Sequence, residues 1–256
     1  MRVDRRGPIA LWTLDRPERL NALSRAVVRR IGALAEQAAG DAATRVVIVT
    51  GAGDRAFCAG ADLEERQDMS EDDVLELLSL YRESFGRIDR LDKPVIAAIN
   101  GVALGGGLEL ALCCDLRVIV PDAVVGLTET ALAIIPGAGG TQRLTRLVGP
   151  GVAKELILLA RRIDATEARA LGLVNRVARE GQSAVDLALE LAQPLAEGAP
   201  VALAAALEAI DAATELRLEK GLDVERRCYE RTLGTADRLE ALAAFREKRP
   251  PRFRGS

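Results

Sequence analysis

Two hydrophobic rhythms alternate along the first part of this chain. Pro8 to Leu14 reads as a strand. Val46-Val47-Ile48-Val49-Thr50-Gly51 and Pro94-Val95-Ile96-Ala97-Ala98-Ile99 are short apolar runs suited to buried strands. Leu116 to Val120 and Val124 to Leu127 are further strand candidates. Helical spacing separates these runs. Val27, Val28, Ile31, Leu34 and Ala35 share one face of a helix predicted over 25–40, with Ser24 as its N-cap. Ser70-Glu71-Asp72-Asp73 opens a second helix running to about Leu91, with acids in its first turn. After Gly151 the pattern is mostly helical, apart from Leu173-Val174-Asn175-Arg176-Val177. The alternation predicts an α/β core over residues 1–190 and a helical C-terminal region over 191–256.

A loose internal echo links two of the buried runs. Val46–Gly51 leads to Phe57-Cys58-Ala59-Gly60-Ala61-Asp62-Leu63, and Pro94–Gly101 leads to Ala103-Leu104-Gly105-Gly106-Gly107-Leu108. Each run is followed by a small-residue loop able to present a main-chain amide. The second loop is the more informative. Three consecutive glycines cost backbone entropy and contribute no packing, so they belong where main chain must approach another group closely. They also precede a helical segment, and the first amides of a helix lack partners at the positive end of its dipole. Glu109 follows two residues after the last glycine. A carboxylate thus stands beside a place suited to a developing anion.

Composition narrows the chemistry. The chain has 256 residues, 49% of them hydrophobic, enough for one large core with or without a small appendage. A net charge of −3 creates no global field toward nucleic acid or an anionic membrane. No apolar run reaches the roughly 18 residues needed to cross a bilayer. Met1 to Pro8 carries charges without the hydrophobic stretch of a signal peptide, so a cytoplasmic location and no membrane partner are expected. Cys58, Cys113, Cys114 and Cys228 show no metal spacing and are expected as reduced, mostly buried thiols. The chain contains no histidine. Ser-His-Asp and Cys-His hydrolysis and histidine-zinc sites are therefore excluded, and proton transfer falls to Asp, Glu, Lys, Tyr or Cys.

Two main-chain amides aimed at one oxygen make an oxyanion hole, each donor being worth on the order of 3 kcal/mol to a transition state. Ala59 from the first loop and Gly106 from the second are the candidate donors. Glu109 and Glu129 are the candidate acid–base pair, since both stand in apolar surroundings that favour burial and a raised pKa. Tight turns that serve only packing are the alternative reading of the loops, which the presence of two such loops beside acids disfavours, and on spacing alone the two glutamates are equally surface residues. Pro136-Gly137-Ala138-Gly139-Gly140-Thr141 lacks the Gly-Lys-Ser/Thr ending of a phosphate loop, and Gly105-Gly106-Gly107 lacks the spacing of a dinucleotide fingerprint.

Taken together, the chain resembles the enoyl-CoA hydratase/isomerase (crotonase) superfamily. The resemblance runs nearly end to end through Arg16-Pro17-Glu18-Arg19-Leu20-Asn21-Ala22-Leu23, Phe57–Leu63, Gly105–Asp115, Ile135–Leu144 and Phe245-Arg246-Glu247-Lys248-Arg249. It is most similar to the methylglutaconyl-CoA hydratase branch, through Ala59–Arg66, Leu108–Leu112 and Glu247–Arg252. The resemblance implies a spiral of ββα turns with C-terminal helices that assemble a homotrimer, often doubled into a hexamer. It implies that Ala59 and Gly106 donate to a thioester oxygen and that Glu109 and Glu129 add water across a 2-enoyl-CoA. Gly137 would help place that water by its amide. Ala22, Ala59, Gly60, Ala61, Asp62, Leu63 and Gly106 would line the substrate site, and the basic C-terminal tail would reach CoA phosphates. No cofactor is implied, because CoA is part of the substrate. Retention of both glutamates favours a hydratase over isomerase and hydrolase relatives. The alternatives are a methylglutaconyl-CoA hydratase, or an RNA-binding protein that keeps the fold. The helix that matches the RNA-binding element of that branch carries Arg25, Arg29 and Arg30. Ala33, Glu36 and Asp41 reduce its positive charge, so nucleic acid is not an expected partner.

Overall fold

The computed structural model describes residues 1–256. Its ten strands form two sheets. The larger runs in the order β1 (Arg2–Arg6), β2 (Ile9–Leu14), β3 (Val46–Gly51), β5 (Val95–Ile99), β7 (Leu116–Ile119) and β10 (Arg176–Val177). The smaller runs β4 (Ala56–Cys58), β6 (Val102–Leu104), β8 (Val124–Gly126) and β9 (Ile163–Asp164). The pairs β3–β4, β5–β6 and β7–β8 each give one strand to each sheet, and each strand lies parallel to its equivalent in the next pair. The chain therefore winds as a spiral of ββα turns, and the internal echo in the sequence is the repeat of that spiral.

The unbroken apolar runs follow from burial on both faces of the larger sheet. In β3, Val47 and Val49 face the main core while Val46 and Ile48 face a second cluster. The main core is completed by α1 (Arg25–Gly40) and α3 (Glu71–Asp89). The side chain of Ser24 caps α1, and Ser70 with Asp73 forms a reciprocal capping box on α3. The second cluster is closed by α8 (Ala184–Glu197) through Ala184, Leu187, Ala188, Ala192 and Ala196. All four cysteines are free and buried.

One strand lies outside what the hydrophobic pattern predicts, and two readings are adjusted. β1 carries no hydrophobic pattern: its five residues are exposed, and it pairs antiparallel with β2 as a charged edge. Leu173–Val177 yields only the two-residue β10, because Leu173 and Val174 enter the main core instead. The boundary drawn at 190 falls inside α8, which packs on the larger sheet. The purely helical part begins with α9 (Pro200–Glu215) and continues through α10 (Leu218–Leu233) and α11 (Ala236–Glu247). α9 and α10 meet around Ala205, Val224 and Cys228, and leave Leu218, Leu222, Tyr229, Leu242 and Phe245 exposed on α10 and α11.

Candidate active site

β4 and β6 are parallel neighbours, so the loops that follow them emerge side by side. The second loop starts the short helix α4 (Gly106–Leu112). Gly105 adopts φ 50°, and a Cβ there would stand 3.1 Å from Glu129 Oε1. A Cβ on Gly107 would overlap the Cys58 carbonyl oxygen, so the glycine lets α4 seat directly on the end of β4. At its other end α4 is held by the buried Arg117, whose guanidinium donates to the carbonyls of Ala111, Cys114 and Leu173. That cation also faces the negative end of the helix dipole.

The expected donor Ala59 is not available. Its N–H donates to the Leu20 carbonyl at 3.0 Å and belongs to the scaffold of the loop. The free amide is two residues further on. Leu23 pairs with Ala61 as an isolated parallel bridge, in which Leu23 N–H donates to Gly60 and Asp62 N–H donates to Leu23. This pattern leaves the Ala61 N–H without a protein acceptor. A Cβ on Gly106 would lie 3.8 Å from Ala61 N, and one on Gly60 would lie 3.7 Å from Gly106 N. Gly106 opens α4, where an amide has no carbonyl one turn back. Ala61 and Gly106, not Ala59 and Gly106, are the donors that converge. The sequence offers no way to separate Ala59 from Ala61, because the difference lies in which amide the bridge to Leu23 consumes.

Glu109 is buried on α4, with 3% of its surface exposed. Its Oε1 accepts from Ala138 N at 2.8 Å and Gly140 N at 2.7 Å. Burial pushes its pKa up, and those two amides pull it part of the way back by favouring the anion. Glu129 begins a 3-10 turn over Glu129–Leu132 and is partly buried. Its Oε2 is buried with no hydrogen-bond partner. Burial, and then the charge of Glu109, push its pKa up to about 7. The two carboxyls thus interact, one with its charge supported by two amides of a separate turn and the other supported only by its own main-chain amide. Arg66, at the end of α2 (Leu63–Gln67), pulls both pKa values down; no spacing signal marked it for this role.

The other expected residues divide. Asp62 caps α2 and pairs with Arg16 Nη2 at 2.8 Å, so its carboxylate is used in the loop. Burial opposes its charge, but the Arg16 contact and the α2 amides hold its pKa below the usual range. Ala22 N–H is spent on Arg19, and its carbonyl accepts from Arg16 Nη1 at 2.9 Å. Gly60 is buried at φ 105°, whereas Leu63 and Gly137 are exposed. Gly137 N–H has no protein acceptor, and its Cα faces Leu78 of α3. Asn21, buried and at φ 57°, ties the 16–22 loop to the Ala52 and Ala56 carbonyls. The basic tail turns back on α11: Arg249 pairs with Glu240 and Glu247, and Asp237 accepts from the amides of Arg254 and Gly255. Arg25 of α1 pairs with Asp73. A groove of about 1620 Å³ lies between α3, residues 136–146 and the α9–α10 pair. It reaches Gly137 and Ala138 but not the two glutamates, so the chemistry sits beside this groove rather than within it.

The two sheets bring a pair of amides and a pair of interacting carboxyls into one region, an arrangement chemically able to stabilise charge on a carbonyl oxygen while moving protons nearby. The enoyl-CoA hydratase/isomerase family profile matches residues 4–256, and the chain belongs to that family. It is 45% identical over 255 residues to the mitochondrial methylglutaconyl-CoA hydratase of Mus musculus, covering 98% of this chain and 81% of that one. It is 45% identical over 245 residues to the mitochondrial enoyl-CoA hydratase domain-containing protein 2 of Homo sapiens, covering 94% and 84%. The crystal structure of an enoyl-CoA hydratase from Bacillus anthracis superposes with a TM-score of 0.97 at 47% identity, covering 100% of this chain and 99% of that one. The crotonase fold expected from the resemblance is the fold of this chain.

Proposed function

We propose that this protein is an enoyl-CoA hydratase that adds water across the 2,3 double bond of a 2-enoyl-CoA thioester. One observation carries the reading: two interacting carboxyls, one gripped by two amides of a separate turn and the other with a buried unpartnered oxygen, beside the free amide of Ala61 and the helix-opening amide of Gly106. In this mechanism the thioester oxygen accepts from Ala61 and Gly106. Glu109, whose charge is supported by the Ala138 and Gly140 amides, takes a proton from water as the water oxygen bonds to Cβ. The π electrons move onto the thioester, and the amides stabilise the enolate-like charge. Glu129, the more readily protonated partner, delivers its proton to Cα. Exchange with the next water returns the proton from Glu109 to Glu129. Gly137 offers its amide to the attacking water, and Ala22, Gly60, Asp62 and Leu63 belong to the two bridged loops along which CoA lies. CoA acts as the handle that orients the acyl group, and the chemistry calls for no separate cofactor.

The 45% identity to a methylglutaconyl-CoA hydratase favours a second reading, hydration of a branched diacid thioester. A panel of crotonyl-CoA, longer straight-chain 2-enoyl-CoAs, 3-methylglutaconyl-CoA and a 3-enoyl-CoA separates these. Hydration of the straight-chain thioesters is the expected result. A strong preference for the branched diacid moves the assignment to the second reading, and double-bond migration in the 3-enoyl-CoA without hydration overturns both. The exposed leucines of α10 and α11 support self-association as a trimer or hexamer, which light scattering tests; a monomer at working concentration removes that part of the proposal.

A further inference from the structure

Glu109 owes its orientation to one tight turn, Ala138-Gly139-Gly140, whose two flanking amides hold Oε1. Gly139 sits at φ 103°, and a Cβ there would overlap Arg143 Nη1, so the guanidinium lies against the turn. Nη1 donates to the Ala138 carbonyl at 3.3 Å. Nε and Nη2 donate to the two oxygens of Asp89 at 3.1 and 2.9 Å. Asp89 is the last residue of α3, a separate element of 19 residues. A single side chain therefore links the turn that grips Glu109 to a long helix of the core.

We propose that Arg143, oriented by Asp89, is a positioning residue for the Glu109 carboxylate. The pair is partly exposed, with side-chain exposures of 25% and 42%, and such pairs add little stability by themselves. Their use is geometric. A planar guanidinium spends two donors on Asp89 and still presents a third to Ala138, which an ammonium cannot do in the same fixed array. Arg143 also contributes charge. Among the ionisable groups around Glu109, Arg143 and Arg66 favour its anion, Glu129 opposes it, and the buried Tyr81 and Cys113 are held neutral.

The kinetic readout rests on the hydratase reading; a second readout does not. Hydration of crotonyl-CoA is followed against pH for wild type, Arg143→Gln, Arg143→Lys and Asp89→Asn, with thermal melts. The Glu109 carboxyl is titrated by carbon NMR in glutamate-labelled protein, assigned with Glu109→Gln. Arg143→Gln is expected to lower kcat about 10- to 100-fold with KM changed less than about twofold. It is also expected to raise the pH at which Glu109 titrates. Arg143→Lys restores much of the titration but only part of kcat, and Asp89→Asn falls between Arg143→Gln and wild type. The proposal is overturned if Arg143→Gln leaves the Glu109 titration at its wild-type position, whatever happens to kcat or the melting temperature. If wild type hydrates no enoyl-CoA, the hydratase reading fails while the NMR titration still decides the positioning role.

Discussion

Glu109 and Glu129 face the same site from opposite kinds of support. Glu109 stands on a helix whose start is seated on β4 and whose end is pinned by Arg117. One of its oxygens is held by two amides. Glu129 stands on a single 3-10 turn, with a buried oxygen that nothing satisfies. One residue type thus yields two different groups, a carboxyl whose charge two amides support and a carboxyl whose burial and charged neighbour favour the protonated form. What the oxygens meet is a large part of the difference between an acid and a base.

The largest test removes each charge in turn. Glu109→Gln and Glu129→Gln are each expected to lower kcat for hydration by about 10²- to 10⁴-fold, the range for losing a positioned acid or base. The side-chain amide in the Glu109→Gln variant keeps a carbonyl oxygen for the Ala138 and Gly140 N–H groups, so its melting temperature should stay near wild type. Near-wild-type turnover in either variant breaks the acid–base assignment.

Gly107→Ala attacks the seat of the rigid side. The added methyl meets the Cys58 carbonyl and must lift α4 away from β4. Urea unfolding should show a loss of about 2–3 kcal/mol, as for an overpacked core site; a wild-type midpoint would mean that α4 is not anchored there. Gly140→Ala is more local. Its Cβ would come within 2.9 Å of Glu109 Oε1 and of Leu127 Cδ1, so Glu109 loses its grip while the rest of α4 stays in place. The expected outcome is a kcat lowered about 10-fold or more with a smaller change in stability. An unchanged kcat would show that the two amides do not hold the working carboxylate.

The smallest expected effect isolates the unsupported partner. Glu129 is raised from 4.5 to about 7, so below its unfolded value it is neutral in both states and costs nothing. Between 4.5 and about 7 the unfolded chain releases a proton that the folded chain retains, and stability falls as pH rises. Above that window the loss is complete. Because Glu129 is partly open to solvent, the full loss is on the order of 1 kcal/mol. Unfolding free energies of Glu129→Gln should therefore gain on wild type between about pH 5 and about pH 8. A pH-independent difference would place Glu129 in water rather than against Glu109.

Much of this is legible in the sequence. The strands β3 and β5 and the helices α1 and α3 follow from local period and caps, which need only neighbouring residues. The glycine run and Glu109 announced a close main-chain approach beside a carboxylate, and all three glycines border that approach. The edge strand β1 carried no signal, because a charged ribbon exposed along its length has no apolar face to betray it.

The chain alone therefore determined the family, the alternating core and the residue types available for proton transfer, since each is written in composition, period or motif. Only the tertiary structure decided which alanine keeps a free amide, which glutamate is supported, and that Arg143 reaches the turn behind Glu109. These are matters of which hydrogen-bonding groups are already consumed by partners distant in sequence. Residue spacing cannot express that count, because each donor or acceptor is assigned only when separate turns of the spiral stack.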